Sequence, residues 1–435
     1  MIIHTVEAGD TVYGIAKKYN VSPTKILEDN DLTNPDRLVV GERLVILFPT
    51  RSYTVKAGDT LEAIASRYEI PLRTLYRNNP CLGGEDAIYT GQILTLEYPD
   101  KPYGSLSVNG YAYPHIDLGT LRKTLPYLTY LTVFSARVLA DGRILLPDDA
   151  TLLSESKKYG VAPILLLTNI SDEGGFSSAA ARDILSNPAA RIKMTEELQK
   201  ALKSRKYAGV EFDFEYVPAD QAEGYANLIE DMRRRLSADG FCVFVSAAPK
   251  EKEDQAGALY EGHTYRSLGE SANGVRLASY EWGCAYGEPM PIAPMPEVLR
   301  VTDYALSRIP ASKLSLGTAS YGYDWMLPYR RGTRARSFSA RDCVTLAAET
   351  NARIDYDEPN EAPYFTYYDT SEKTPVQHVV YFEDAQSVHA KLALIGELGL
   401  SGVSLWNIMQ YFPQYFLVLN ALFDIVRPFP CTTGD

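Results

Sequence analysis

Residues 207–218 read Tyr-Ala-Gly-Val-Glu-Phe-Asp-Phe-Glu-Tyr-Val-Pro. Val210, Phe212, Phe214 and Tyr216 alternate with Glu211, Asp213 and Glu215. A period of two is that of a β-strand, here with one apolar face and one face carrying three carboxylates. Like charges this close repel, and the repulsion raises the pKa of at least one of the acids. Glu215 is the last of the three, just before Pro218 stops the strand. A carboxylic acid kept protonated beside an ionised carboxylate is what acid-catalysed glycoside cleavage needs. On spacing alone, an exposed acidic edge strand or a cation site is the stronger reading. The rest of the chain reverses that.

The 435 residues allow a large domain plus small modules. An apolar content of 46% is that of a globular protein. The net charge of −12 argues against nucleic acid and anionic membrane as main partners. The 31 tyrosines suit surfaces that bind flat, hydroxylated ligands. Five cysteines (81, 242, 284, 343 and 431) make no Cys-x-x-Cys pair and are odd in number. Neither a disulfide framework nor a metal site is expected. His4 and His263 are expected on surfaces. The chain begins Met-Ile-Ile-His-Thr-Val-Glu, without a basic region or an apolar stretch of secretory length, so no signal peptide is expected. The least charged segment, 398–423, is broken by Ser401, Asn407, Pro413 and Asn420 and reads as a strand and a packed helix, not a membrane span.

The first hundred residues repeat themselves. His4-Thr-Val-Glu-Ala-Gly-Asp-Thr11 recurs as Tyr53-Thr-Val-Lys-Ala-Gly-Asp-Thr60, at an offset of 49, and Asn30 maps to Asn79. Each copy reads as strand, Gly-Asp turn, helix, helix, strand, with Thr11 and Thr60 as N-caps. Two copies are too few for a solenoid, so they are expected to be independent modules, over 1–48 and 51–98. The pattern closely resembles the LysM module, which binds N-acetylglucosamine-containing glycans such as peptidoglycan and chitin. The resemblance places glycan contacts at Gly9, Asp10, Thr11 and Asn30 in the first copy and at Gly58, Asp59, Thr60 and Asn79 in the second. The alternative is that Gly-Asp-Thr only makes a turn and caps a helix; both can hold at once.

Beyond the Pro-containing linkers at 48–51 and 98–102, strands and helices alternate. Strands are expected at 106–113, 130–135, 161–169, 209–216, 241–248, 274–280, 313–321 and 402–406. Helices are expected at 148–158, 190–203, around Tyr225–Leu236 and at 411–423. Eight strands with intervening helices over 103–435 fit an α/β fold, a (β/α)8 TIM barrel. The surplus between strands seven and eight, about 325–383, reads as a small α+β insertion with strands at 353–356, 364–368 and 379–382. Catalytic groups in such barrels sit at the C-terminal strand ends. Asp213, Glu215, Tyr280, Glu281, Trp282, the run Tyr321-Gly-Tyr-Asp-Trp325 and Trp406 would then meet at one mouth.

At these residues the chain resembles glycoside hydrolase family 18, in particular its spore-associated branch of cortex-lytic N-acetylglucosaminidases with paired LysM modules. The family's Asp-x-x-Asp-x-Asp-x-Glu on strand four is matched by Asp213 and Glu215, whereas Ala208 and Glu211 stand at its first two acids. Its Met-x-Tyr-Asp on strand six is Ala278-Ser279-Tyr280-Glu281. The resemblance implies substrate-assisted retention. Glu215 is the acid and then the base, Asp213 orients the 2-acetamido group, and the Tyr280 hydroxyl holds its oxygen. Trp406 floors the sugar site, and Tyr111, Asn169, Glu211 and Glu281 are further substrate-binding candidates. No metal or organic cofactor is required. The implied substrate is peptidoglycan and the implied setting spore cortex, coat or cell wall. Chitin or chitooligosaccharide hydrolysis is the alternative activity. A silent chitinase-like lectin is disfavoured, because lectin members typically lack the terminal acid that Glu215 supplies here.

Overall fold

The computed structural model describes residues 1–32, 36–370 and 374–428. Each N-terminal repeat folds as two antiparallel strands enclosing two short helices. The first holds β1 (Ile2–Thr5), α1 (Val12–Tyr19), α2 (Pro23–Asp29) and β2 (Arg43–Ile46). The second holds β3 (Arg51–Thr54), α3 (Leu61–Arg67), α4 (Leu72–Asn78) and β4 (Ile93–Glu97). Thr11 and Thr60 cap α1 and α3, accepting the N–H of Gly14 at 3.0 Å and of Ala63 at 3.1 Å. Asp10 and Asp59 close the turns before these caps, each accepting a backbone N–H at 2.8 Å, from Glu7 and Lys56. His4 also bonds Asp10, at 3.0 Å, and is buried rather than on the surface, because its ring fills the space between that turn and Tyr19.

Eight parallel strands follow: β5 (Ser105–Ala112), β6 (Tyr130–Val138), β7 (Ala162–Thr168), β8 (Gly209–Asp213), β9 (Cys242–Ala247), β10 (Gly274–Leu277), β11 (Leu314–Ala319) and, after the insertion described next, the strand Gly402–Trp406. Each pairs with its neighbours and the last returns to β5, so the barrel closes. Purely apolar runs such as Ile164–Leu167 suit strands buried on both sides. Helices pack outside, among them α5 (Leu118–Thr124), α6 (Ala150–Lys158), α7 (Ser178–Ser186), α8 (Pro188–Arg205) and α9 (Ala222–Ser237). The helix Ser178–Ser186 is not among the sequence expectations: Asn187 and Pro188 break it from the one that follows. No helix among the described residues is long and apolar enough to cross a membrane.

The insertion begins earlier than expected. The seventh barrel strand stops at Ala319, and Tyr321–Leu327 (β12) is the first strand of a separate five-stranded antiparallel sheet. Arg336–Ser339 (β13), Asp355–Asp357 (β14), Ala362–Asp369 (β15) and Val376–Tyr381 (β16) complete it, and the eighth barrel strand, Gly402–Trp406, is β17. The helix Ala340–Glu349 lies across this sheet. Trp325 is therefore not at the barrel mouth: it packs 1% exposed among Ile292, Tyr323 and Val379. Among the described residues Cys81, Cys284 and Cys343 are free thiols, whereas Cys242 is disulfide-bonded, contrary to the expectation from the cysteine pattern.

The repeats are not independent of the barrel. Val45 and Leu47 of the first lie in the barrel's own apolar cluster. Its Arg43 pairs with Asp384 at 2.8 Å, both side chains 9% exposed. In the second, Asn78 accepts from Asn420 at 3.0 Å, Arg73 donates to the Pro126 carbonyl at 2.8 Å, and the Tyr127 hydroxyl donates to the Arg77 carbonyl at 2.9 Å. Short linkers and complementary surfaces hold the repeats down where Pro-containing connections suggested freedom. Uncovering even two such apolar side chains costs about 3 kcal/mol. A chain starting at Lys101 should therefore melt at least about 4 °C below the full-length protein in calorimetry. Equal midpoints would show that the docked repeats add nothing to stability.

Candidate active site

The alternation in β8 sorts its side chains by face. Val210, Phe212 and Phe214 are fully buried, and the Phe214 ring stacks on Tyr225 of α9 with centroids 5.4 Å apart. Glu211 points the other way, into the barrel, where it is wholly buried. It accepts from the hydroxyls of Tyr111 at 2.6 Å, Ser246 at 2.8 Å and Thr132 at 3.2 Å, and pairs with the Arg276 guanidinium. Arg276 in turn lies over the Phe244 ring, 4.4 Å from its centroid. A buried carboxylate is tolerated because its lone pairs and its charge are both answered. Glu211 and Tyr111 thus form the floor under the site; neither has a free polar group for a sugar, contrary to the expectation that they bind substrate.

The strand ends at Asp213, two residues before Glu215. Tyr216 adopts φ of 54°, the left-handed region, and turns outward to 39% exposure, so the apolar face stops at Phe214. Outside a strand ladder the backbone of Glu215 needs other partners. Asn169 supplies both: its Oδ1 accepts the Glu215 N–H at 3.0 Å and its Nδ2 donates to the Glu215 carbonyl at 2.8 Å. Asn169 is fully buried and acts as a clamp on the acid, not as the substrate contact expected of it. His263 holds the preceding carbonyl. Its Nδ1 accepts the Ala248 N–H at 2.9 Å, which leaves Nε2–H to donate to the Phe214 carbonyl, also at 2.9 Å. Burial lowers its pKa to about 4, so the ring is neutral and keeps one donor and one acceptor. His263 is 2% exposed, a correction to the surface position expected of it.

Burial and the neighbouring Glu281 charge raise Glu215 to about 7. Asp213 is also pushed well up, by burial and then by the charges of Glu215 and Glu211, while a hydrogen bond from Ser246 opposes the rise. The Tyr280 hydroxyl feels the charges of Asp213, Glu281, Glu211 and Glu215 on top of its own burial, and stays protonated as a donor. Tyr280 follows β10, and its ring crosses Gly317: a Cβ there would lie 2.8 Å from a ring carbon. Asp213, Glu215 and Tyr280 are thus brought into one electrostatic cluster. This arrangement offers a protonated acid, a second carboxyl group and a hydroxyl donor.

Trp406, at the end of β17, forms the aromatic wall. Its ring meets Tyr111 at 5.5 Å, Phe134 at 5.4 Å and Tyr113 at 6.2 Å between centroids. Beside it opens a cleft of about 360 Å3 lined by Trp406, Asn407, Glu281, Tyr321 and Tyr323 and closed on the far side by Ser337, Ser339 and Asp342 of the insertion. The Glu281 carboxylate faces this cleft and accepts from the hydroxyls of Tyr321 and, at 2.9 Å, Tyr323. Phe134 and Tyr113 are not singled out by the sequence reading: Tyr113 directly follows β5, at a strand end, but Phe134 lies in the middle of β6, where the ladder to β7 is interrupted between Val133 and Ala136. Arg276 had a signal too: a lone cation inside the apolar run Gly274–Leu277 needs a buried partner.

The glycan-contact residues expected in the repeats divide by side chain and backbone. Asn30 is buried and spends its amide on the Ile26 and Val45 carbonyls at 3.1 and 2.9 Å and on the Val45 N–H at 2.8 Å. Asn79 does the same with Leu75 and Thr95, at 2.7–2.8 Å. With Asp10, Thr11, Asp59 and Thr60 bonded inside their own turns, the open groups are backbone. Gly9 and Gly58, at φ of 91° and 87°, have clear space on their outer side.

The sequence model of the glycosyl hydrolases family 18 matches residues 157–410, and that of the LysM domain matches 4–47 and 53–97. The chain is 34% identical over 434 residues to the cortical fragment-lytic enzyme of Bacillus subtilis (strain 168), covering 98% of this chain and 99% of that one. The crystal structure of the spore cortex-lytic enzyme SleL of Bacillus cereus superposes with a TM-score of 0.83 at 32% identity, over 100% of this chain and 99% of the other. The SleL of Bacillus megaterium QM B1551 does so with a TM-score of 0.83 at 33% identity, over 98% and 99%. The chain belongs to glycoside hydrolase family 18, as a hydrolase that carries two LysM domains ahead of its barrel.

Proposed function

We propose that this hydrolase cleaves the β-1,4 bond after N-acetylglucosamine in peptidoglycan of the spore cortex or its fragments, by substrate-assisted retention. The observation that carries the reading is Glu215, held with a pKa of about 7 by burial and by Glu281, in one electrostatic cluster with Asp213 and Tyr280. The substrate class rests on the relatives, named cortical fragment-lytic and spore cortex-lytic enzymes and matched over 98–100% of this chain. The two LysM domains add association with cell-wall glycans.

In this mechanism Glu215 donates its proton to the glycosidic oxygen as the C–O bond breaks. The acetamido oxygen of the same sugar forms the new bond to the anomeric carbon, giving an oxazolinium ion. Asp213, beside the acid and in contact with Ser246, balances the positive charge on the acetamido nitrogen. Tyr280 donates to the acetamido oxygen. Glu215, now ionised, takes a proton from the incoming water, which opens the oxazolinium ring from the opposite face and restores the β configuration. Asn169 and His263 fix the acid's backbone throughout, and Glu211 with Arg276 keeps the floor rigid. Only a free 2-acetamido group is demanded of the sugar, so chitooligosaccharides satisfy the same chemistry and serve as comparison substrates.

Glu215→Gln keeps the shape and removes the proton; turnover of soluble fragments should fall by at least about 100-fold with binding retained, and near-normal turnover would move the acid elsewhere. Asp213→Asn should be similarly severe. In rate–pH profiles, kcat/KM should decline as pH rises through about 7, where Glu215 loses its proton. Glu281's charge helps to hold that proton, so Glu281→Gln should shift the alkaline limb to lower pH; an unmoved limb would separate Glu281 from the acid. Fragments reduced with borohydride after digestion should carry the label on glucosaminitol. Label on muramitol or its lactam would defeat the bond assignment.

A further inference from the structure

The two repeats present the same turn to different surroundings. Residues 39–42 of the first, Val-Val-Gly-Glu, correspond to 89–92 of the second, Tyr-Thr-Gly-Gln. Val39 is buried within the insertion's own apolar core, with Cys343, Ala347, Ile354 and Phe365. Gly41 is pressed against the insertion so closely that a Cβ would lie 1.8 Å from the Ile354 carbonyl oxygen, and the Ile354 N–H donates to the Val40 carbonyl at 2.9 Å. Arg37 donates to the Ala348 carbonyl at 2.9 Å, and Arg341 pairs with Asp31 at 2.9 Å. In the second repeat Tyr89 is 65% exposed, Ile93 is 67% exposed, and Gly91 has nothing within 4 Å of a Cβ position.

The element gripped by the first repeat is the helix Ala340–Glu349. One side of it, at Arg341, Val344 and Ala348, faces that repeat. The other, at Asp342 and the preceding Ser337 and Ser339, lines the cleft beside Trp406 and Glu281. The first repeat is thereby fixed behind a wall of the cleft beside Trp406 and Glu281.

We propose that the first LysM module is a buttress that positions the insertion wall of the cleft, and that the surface retaining the enzyme on insoluble glycan is centred on the second module's turn around Tyr89 and Ile93, whose counterpart in the first module is given over to the insertion. The proposal rests on the wall-glycan reading above for its ligand. Val39, Arg43 and Arg341 are positioning residues that touch no substrate: Val39 and Arg341 act through the helix Ala340–Glu349, and Arg43 acts through Asp384 and through the insertion's Tyr356, whose ring centroid lies 4.2 Å from the guanidinium. A loosened wall weakens ground-state and transition-state binding alike, which raises KM and leaves kcat in place.

The test uses full-length variants, soluble cortex fragments and insoluble peptidoglycan sacculi. Val39→Ala/Arg43→Ala should raise KM at least about fivefold with kcat within about twofold, and should pellet with sacculi as the wild type does. Arg341→Ala, an exposed change compatible with folding, should raise KM in the same direction by about twofold, and this arm stands if the double variant does not fold. Tyr89→Ala/Ile93→Ser should lower the pelleted fraction about tenfold. Hydrogen exchange of residues 340–349 reads the lock without any reaction, and should be faster in Val39→Ala/Arg43→Ala. If wild type fails to cleave the fragments, the substrate reading falls while exchange and pelleting still decide this proposal. Unchanged KM and exchange in the first-module variants, loss of pelleting in them, or full pelleting by Tyr89→Ala/Ile93→Ser would each overturn it.

Discussion

The site depends on a buried ion pair that never meets substrate. Glu211 and Arg276 face each other inside the barrel at 0% and 4% side-chain exposure, with Tyr111, Thr132 and Ser246 completing the carboxylate's hydrogen bonds. Breaking such a pair by removing one partner costs about 3–5 kcal/mol, because a charge is left buried and unanswered. Its presence also sets the electrostatics above it. The Glu211 charge adds to the burial that pushes Asp213 up, and Ser246 touches both acids. Where the family signature has Asp, the longer Glu211 reaches Arg276 across the barrel interior, so the departure from that signature is absorbed within the floor.

Above the floor, backbone clamps take over from strand pairing. Glu215 lies beyond the last residue of β8, where a carboxyl group can stand free of the barrel interior and still be fixed by Asn169 and His263. The aromatic wall is assembled from β5, β6 and β17, three strands that are neighbours only because the barrel closes. The insertion then deepens the cleft on the side of Glu281. Because its helix is shared with the first LysM module, the LysM domains and the hydrolytic domain form one packed body.

Much of this was legible in the sequence because it is local or periodic. Alternation at 210–215 separates packing side chains from acids, and the repeat at offset 49 delivers both small modules with their Thr caps. What escaped is set by tertiary contacts. Alternation continues through Tyr216 in sequence, yet the strand ends at Asp213 and Tyr216 itself is left-handed. Trp325 and Trp406 both follow strand-like runs, but one heads a separate sheet and only the other reaches the mouth. Asn169 and His263 are polar residues with no flanking signature, and their roles exist only once β7, β8 and β9 are side by side. Val39 reads as ordinary core of its own module; nothing local shows that its partners lie three hundred residues away.

The central claim is that the substrate's own acetamido oxygen is the nucleophile, with Glu215 as acid and Asp213 and Tyr280 as its guides. Proton NMR of freshly formed product, followed before mutarotation, tests it most directly. N-acetylglucosamine at the new reducing end should appear first as the β anomer. An initial α anomer would mean direct attack by water with inversion, and would contradict the mechanism.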